Sequence, residues 1–347
     1  MAKNGKRVRQ IDVANALGVH QTLVSAVLSG NFNNSTVRVS RDKVDEILNA
    51  AKKMGYKPNR AAYELRGGKS SVIGILMPAP SLSFISERQM RLIVLEQIAN
   101  QRGYRMMIGH IQNPDIAENY VDDFISRSVE GVLCLQHELQ GDKNSIVKSL
   151  SRIENVVYLG LPAGVEDAHC VTMDHCDGII QAVHYLASKG RKRIALALAG
   201  KKFRPMIERM EGYKLGLANE RMAFDPELIW VGPEKVVPQP EYMRSIYKKL
   251  VSEKKADAVI ASNDDWAIML MKHLHSRSIR VPEDVAVIGY DNLRVSAMTT
   301  PSLTTIDGRE EAVGSKMINM LLDLIDKGSV DQKVVTVKPK LIPRESA

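Results

Sequence analysis

Arg209, Asn263 and Asp291 combine residue type and position in a way that points to molecular recognition. Each follows a short apolar run: Arg209 lies in the helical stretch after RIALALA (193–199), Asn263 ends ADAVIASN (256–263), and Asp291 follows DVAVIGY (284–290). Carboxylates and carboxamides pair with vicinal hydroxyls, and a guanidinium supplies charged donors. Phe84, in the loop after the first apolar run, and Trp266, one helical turn beyond Asn263, add rings that could stack on the apolar face of a sugar. Taken singly, each of the five could be a helix cap or a core side chain. As a set at strand ends they point to a site for a small polar molecule.

Other chemistries find less support. His169-Cys170 and His175-Cys176 stand six apart, which is not a zinc spacing, so no metal site is expected. GxxxxGK[ST], GxSxG and HExxH are all missing, so neither a catalytic residue nor a cofactor is expected. Glu310 and Glu311 fall on an amphipathic helix and are expected to be solvated. Three cysteines, each in or near an apolar stretch, suit a reduced cytosolic protein better than a disulfide framework.

The elements that must position the site are legible as seven runs. Besides the two that end near Asn263 and Asp291 and the one before Arg209, they are VIGILM (72–77), RMMIGHI (105–111), GVLCL (131–135) and VVYLGL (156–161). Helical patterns separate them, which means βαβ units and parallel sheets. Seven or more strands exceed one ordinary doubly wound sheet, so two lobes are expected. The first would hold about 71–172 and 305–330, the second about 173–304 and 331–347. Ligands of such lobes bind at the C-terminal strand ends, which a cleft between lobes would collect.

The first seventy residues differ in kind. They carry 13 of the 48 Lys and Arg and 5 of the 40 Asp and Glu, so the net charge of +8 lies entirely there and the remainder is neutral. A basic module on a neutral body points to a polyanion partner. Within it, DVANALGVHQTLVSAVLSG (12–30) reads as helix, turn, helix. Ala14 is small enough for a helix crossing, Gly18 tolerates a left-handed turn, and Val13, Leu17, Val19, Val24 and Val27 are placed to lock the pair. A third helix over about 41–54 shows Val44, Ile47, Leu48, Ala51 and Met54 on one face, with Ser40 as N-cap and Gly55 as stop. GYKPNRAAYEL (55–65) follows, in which Pro58 can open a short helix. No run of about 18 apolar residues suggests a membrane span. The basic start, MAKNGKRVRQ, has no apolar region behind it, so a secretory signal is not expected.

With these motifs the chain resembles the LacI/GalR (lactose-repressor) family of bacterial transcription regulators. The resemblance runs through GYKPNRAAYEL, RMEGYKLGL (209–217), ADAVIASNDDWA (256–267), VPEDVAVIGYDN (281–292), PSLTTID (301–307) and LIPRES (341–346). It implies an α-helical helix-turn-helix domain (1–57), a hinge helix and linker (58–70), and an α/β core of two doubly wound, periplasmic-binding-protein-like lobes (71–347). It also implies a cytoplasmic repressor, at least a homodimer, whose partners are operator DNA and a carbohydrate-like effector, with no membrane. By match, Gln21, Thr22, Ser25 and Ala26 would face the major groove. Leu65 would wedge into the minor groove with Asn59 and Ala62 beside it. Phe84, Arg209, Asn263, Trp266 and Asp291 match effector positions. The chain departs from the family at Ala26, where arginine is usual, and at His20 and Leu23, where serine or threonine is common. Those departures leave the operator sequence open. An exported solute-binding protein of the same core, or an enzyme of doubly wound fold, are the alternative readings; the basic module and the absent motifs speak against them.

Overall fold

The computed structural model describes residues 8–29, 39–57, 69–78, 85–136, 144–233 and 238–347. The chain divides into two compact units, 1–70 and 71–347.

In the first unit, α1 (Gln10–Leu17), α2 (Gln21–Leu28) and α3 (Arg41–Met54) close around Val13, Ala14, Val24, Val27, Ile47 and Ala51. Gly18 ends α1 at φ 62°, a backbone state that costs glycine little, and so turns the chain into α2. Ser40 caps α3 by accepting the Lys43 N–H at 3.4 Å, and Gly55 ends it at φ 73°. Val44 and Met54 are half-buried against this core, but Leu48 is 44% exposed, so the buried stripe of α3 is narrower than its spacing predicts. The helix pairs with two neighbours across one edge, and Leu48 lies beyond that edge.

The second unit holds two six-stranded sheets among the described residues. In the first, β1 (Val72–Pro78), β2 (Arg105–Ile111), β3 (Val132–Cys134), β4 (Val156–Leu159), β5 (His169–Met173) and β11 (Val334–Val337) run parallel in the order β2-β1-β3-β4-β5-β11. In the second, β6 (Ile194–Leu198), β7 (Ile229–Val231), β8 (Ala258–Ala261), β9 (Ala286–Tyr290), β10 (Thr304–Asp307) and β12 (Lys340–Ile342) lie in the order β7-β6-β8-β9-β10-β12, with only β12 antiparallel. Each of the seven runs contains a strand. The inner runs are buried on both faces because helices cover both sides of each sheet, whereas RMMIGHI, on the edge strand β2, is only partly buried. The first lobe is covered by α4 (Ile85–Gln101), α5 (Pro114–Ser126), α6 (Ser145–Leu150) and α11 (Glu310–Lys327). The second is covered by α7 (His175–Ser188), α8 (Arg204–Asn219), α9 (Pro240–Ile246) and α10 (Asp264–His275).

The chain passes between lobes three times, after Met173, after Asp307 and after Val337. This corrects the expected lobe limits. Thr304–Asp307 pairs with β9 and belongs to the second lobe, whereas Val334–Val337 pairs with β5 and belongs to the first. The misplacement has a simple origin: β10 (TTID) and β11 (VVTV) carry polar residues inside four-residue strands, so neither stands out as an apolar run. The crossings are neighbours, since Asp174 N–H donates to the Val337 carbonyl at 3.0 Å and a Cβ on Gly308 would sit 3.1 Å from the Met173 sulfur. No single described helix is long and apolar enough to cross a membrane.

Candidate functional site

A cleft of about 310 Å3 opens between the two lobes. Its walls are C-terminal strand ends: Met77 and Pro78 of β1, Leu159 of β4 and Met173 of β5 face Ser262 and Asn263 after β8 and Asp291 after β9. That is where a doubly wound sheet offers loops free of its own hydrogen-bond ladder.

Arg209 projects from α8 and is 6% exposed. Its Nη1 donates to the Ser262 carbonyl, and its guanidinium carbon lies 3.6 Å from the centroid of the Tyr290 ring. Nε is buried and has no hydrogen-bond partner among the described residues. The cation is therefore held by a carbonyl dipole and a ring face, with no carboxylate within 4.0 Å among the described residues. Tyr290 in turn shares a 2.9 Å hydrogen bond with Nδ1 of His175, the second residue after β5. Burial, and then the nearby Arg209 charge, hold His175 well below the usual histidine range, so its imidazole is neutral. Burial also pushes the Tyr290 phenol up.

Asn263 is both cap and wall. Its Oδ1 accepts the Trp266 N–H at 3.1 Å, starting α10, while its amide nitrogen makes no hydrogen bond to a described residue. Asp291 sits at φ 107°, outside the range an L-residue ordinarily adopts, and its N–H donates to the Ile306 carbonyl at 2.8 Å. Such strain costs on the order of 1–3 kcal/mol and is held by the pairing around it. It turns the half-buried Asp291 side chain into the cleft wall.

Arg209, Asn263 and Asp291 thus meet in one cavity. Trp266 does not join them. It is 1% exposed and packs in the core of the second lobe, 5.6 Å from Trp230 and stacked 5.7 Å from Tyr242. The signal was present in the sequence: Trp266, Leu270 and Leu274 make a helical stripe, all of it buried. The second lobe's aromatic wall is instead Phe203, the residue before α8. Phe84 lies outside the described residues.

Of the acid pair at the start of α11, Glu311 is exposed as expected, but Glu310 needs correction. Glu310 is a cleft residue whose side chain is only 13% exposed, and its Oε2 accepts hydrogen bonds from Nε (2.7 Å) and Nη2 of Arg91 on α4. Its partner is 219 residues away, so no local pattern reveals the pair. Among the described residues no cluster of three or more His, Cys, Asp or Glu could hold a metal.

In the first unit Gln21 and Thr22 are exposed on the first turn of α2, with Ser25 and Ala26 half-buried one turn on. His20 caps this helix: Nδ1 accepts the Thr22 N–H at 3.4 Å and lies 2.6 Å from the Thr22 hydroxyl. Since Nδ1 accepts, the hydroxyl donates to it, and Thr22 is left to offer a lone pair and a methyl group. Asn59, Ala62 and Leu65 lie outside the described residues.

A family model described as a periplasmic binding protein-like domain matches residues 183–347. Over 340 residues, 96% of this chain and 97% of the relative, the chain is 28% identical to the HTH-type transcriptional repressor PurR of Haemophilus influenzae (strain ATCC 51907 / DSM 11121 / KW20 / Rd). It is 26% identical over 336 residues, again 96% and 97%, to the repressor of the same name from Histophilus somni (strain 2336). Among solved structures it is similar to a lac repressor dimer bound to operator and the anti-inducer ONPF, with a TM-score of 0.81, 21% identity and coverage of 98% and 99%. A complex of the transcriptional regulator CelR with cellobiose gives a TM-score of 0.71, 24% identity and coverage of 98% and 100%.

Proposed function

We infer that this chain, which belongs to the LacI/GalR family of bacterial transcriptional regulators, is a transcriptional repressor. Its first unit binds operator DNA, and its operator affinity changes when a small polar molecule of the sugar class enters the cleft. The relatives it resembles are repressors by name, not enzymes.

Arg209 carries the cleft reading. A cation that is nearly buried, held over a ring and with no carboxylate within 4.0 Å among the described residues, is a charged donor set aside for a guest. Asp291 and the Asn263 amide add an acceptor and a donor, the complement a pair of neighbouring hydroxyls requires. Similarity to a regulator solved with cellobiose supports the sugar class. The DNA reading is supported by the exposed first turn of α2 and by the basic charge of residues 1–70. Near-palindromic operators call for a twofold protein, so the working unit is a dimer.

The mechanism is a two-state one. The three neighbouring crossings let the lobes rock about a narrow hinge, and a ligand that bridges Arg209 and Asp291 to the first lobe favours one lobe angle. The operator response is then limited to the ligand's differential affinity for the two states. The test is a selection of bound sites from a random duplex pool, repeated with a panel of sugars on wild type and on Asp291→Ala. The variant is expected to bind operator as wild type does without sugar and to lose the sugar response. An unchanged response removes the cleft assignment.

A further inference from the structure

Among the described residues, the first-lobe wall of the cleft is apolar apart from one ion pair. Arg91 and Glu310 have side chains only 9% and 13% exposed, so solvent screens them poorly. Two guanidinium nitrogens, Nε and Nη2, converge on the single oxygen Oε2. That leaves Nη1 of Arg91 and Oε1 of Glu310 without a hydrogen-bond partner among the described residues; neither atom is fully buried, and both residues line the cleft. The described part of this wall therefore presents one donor and one acceptor with no net charge.

We propose that Glu310 is a specificity-determining residue: by neutralising Arg91 it makes the cleft select an uncharged, hydroxyl-bearing effector and reject phosphorylated or acidic analogues. This rests on the reading of the cleft as the effector site and names the class of molecule it takes. A hydroxyl both donates and accepts, so it can satisfy Oε1 and Nη1 together. A phosphate or carboxylate gains attraction from Arg91 but meets Glu310 at nearly the same distance, and it enters the cleft without a net counter-charge to offset its lost hydration. Among the described residues the second-lobe wall repeats the balance with one cation, Arg209, and one carboxylate, Asp291.

Inorganic phosphate is the probe, titrated calorimetrically into the full chain against chloride at matched ionic strength. Wild type is expected to show only the weak uptake due to its basic first seventy residues. Arg91→Gln/Glu310→Gln, which removes both charges, measures that background. Glu310→Gln strands the cation and is expected to bind phosphate at least about tenfold more tightly, the modest end of what one unit charge a few ångströms away is worth. A stranded buried cation can unfold the protein, so Arg91→Lys/Glu310→Gln is the second variant: its flexible ammonium reaches water while keeping the charge. Phosphate should raise the melting temperature of both single-charge variants and not that of the neutral one. Equal phosphate binding by wild type and Glu310→Gln overturns the proposal, and so does a lack of gain in both single-charge variants. The phosphate readout involves neither operator nor sugar. If Asp291→Ala keeps its sugar response, the effector reading fails while the charge argument is still decided.

Discussion

His175 must stay neutral for the Arg209–Tyr290 stack to form, because a second cation beside Arg209 would be buried against it. Its folded pKa is depressed, so below pH 6.5 the unfolded chain binds the proton more readily, and stability falls as pH drops. Asp264 works in the opposite sense. It accepts hydrogen bonds from Leu293 N–H, Ser296 Oγ and Thr305 Oγ1, yet burial pushes its carboxyl up to about 6. The folded state then takes up the proton first, and stability is gained as pH falls through 6. The two effects oppose each other in wild type as the pH falls below 6. His175→Gln, which can still bond Tyr290, is expected to lose only the first. Urea unfolding at pH 8 and pH 5 should show the variant retaining up to about 2 kcal/mol more of its stability at pH 5 than wild type does. Identical pH dependence would remove His175 from this account. Strand-end polarity made Asn263 and Asp291 legible in the sequence, and Arg209 was legible as a cation in the helix after a strand. The stack under Arg209 was not, because His175, Arg209 and Tyr290 come from three separate segments.

At the scale of elements, α8 carries Arg209 and rests on α7 through glycine. A Cβ at Gly212 would stand 2.9 Å from the Cα of Cys176 and closer still to its carbonyl oxygen, and one at Gly216 would stand 2.9 Å from the Cβ of Val183. The close approach is what sets the depth of Arg209, one turn before Gly212. Gly212→Ala is expected to lift α8, costing about 1–3 kcal/mol as overpacking does, and to blunt ligand binding by drawing the guanidinium off Tyr290. Leu215→Ala, on the 51% exposed face of the same helix, should change stability by no more than about 0.5 kcal/mol. Thermal melts and ligand titration of both variants check this; equal behaviour would mean the helix contact does not position the site. The helices and longer strands were readable because their apolar period is sustained. Strands β7, β10, β11 and β12 are short and either partly exposed or polar, so no apolar run marks them, and their pairing is set by the sheets around them. Glu310 was misread for a related reason: an acid in the first turn of an amphipathic helix looks solvated until α4 is packed beside it.

For the whole molecule, charge and fold are partitioned alike: the excess +8 belongs to residues 1–70, and the two sheets to residues 71–347. A fragment of residues 71–347 is expected to fold and bind ligand but not operator. The full chain should lose operator affinity steeply as salt rises, through counterion release. Operator binding by the fragment, or salt-insensitive binding by the full chain, would contradict this. The triple crossing has one more consequence, for synthesis. The first lobe takes α11 and β11, and the second takes β12, from residues 310–342. Ser346 then bonds the Thr304 N–H and the Val287 carbonyl. A chain emerging from the ribosome therefore cannot finish one lobe before starting the other. Until residue 334 is out, β5 is an open edge, and until residue 340 is out so is β10. At about 5–20 residues per second the β5 edge stays unpaired for roughly ten seconds or more and the β10 edge for a few seconds. They are the surfaces a nascent chain must keep from pairing with its neighbours.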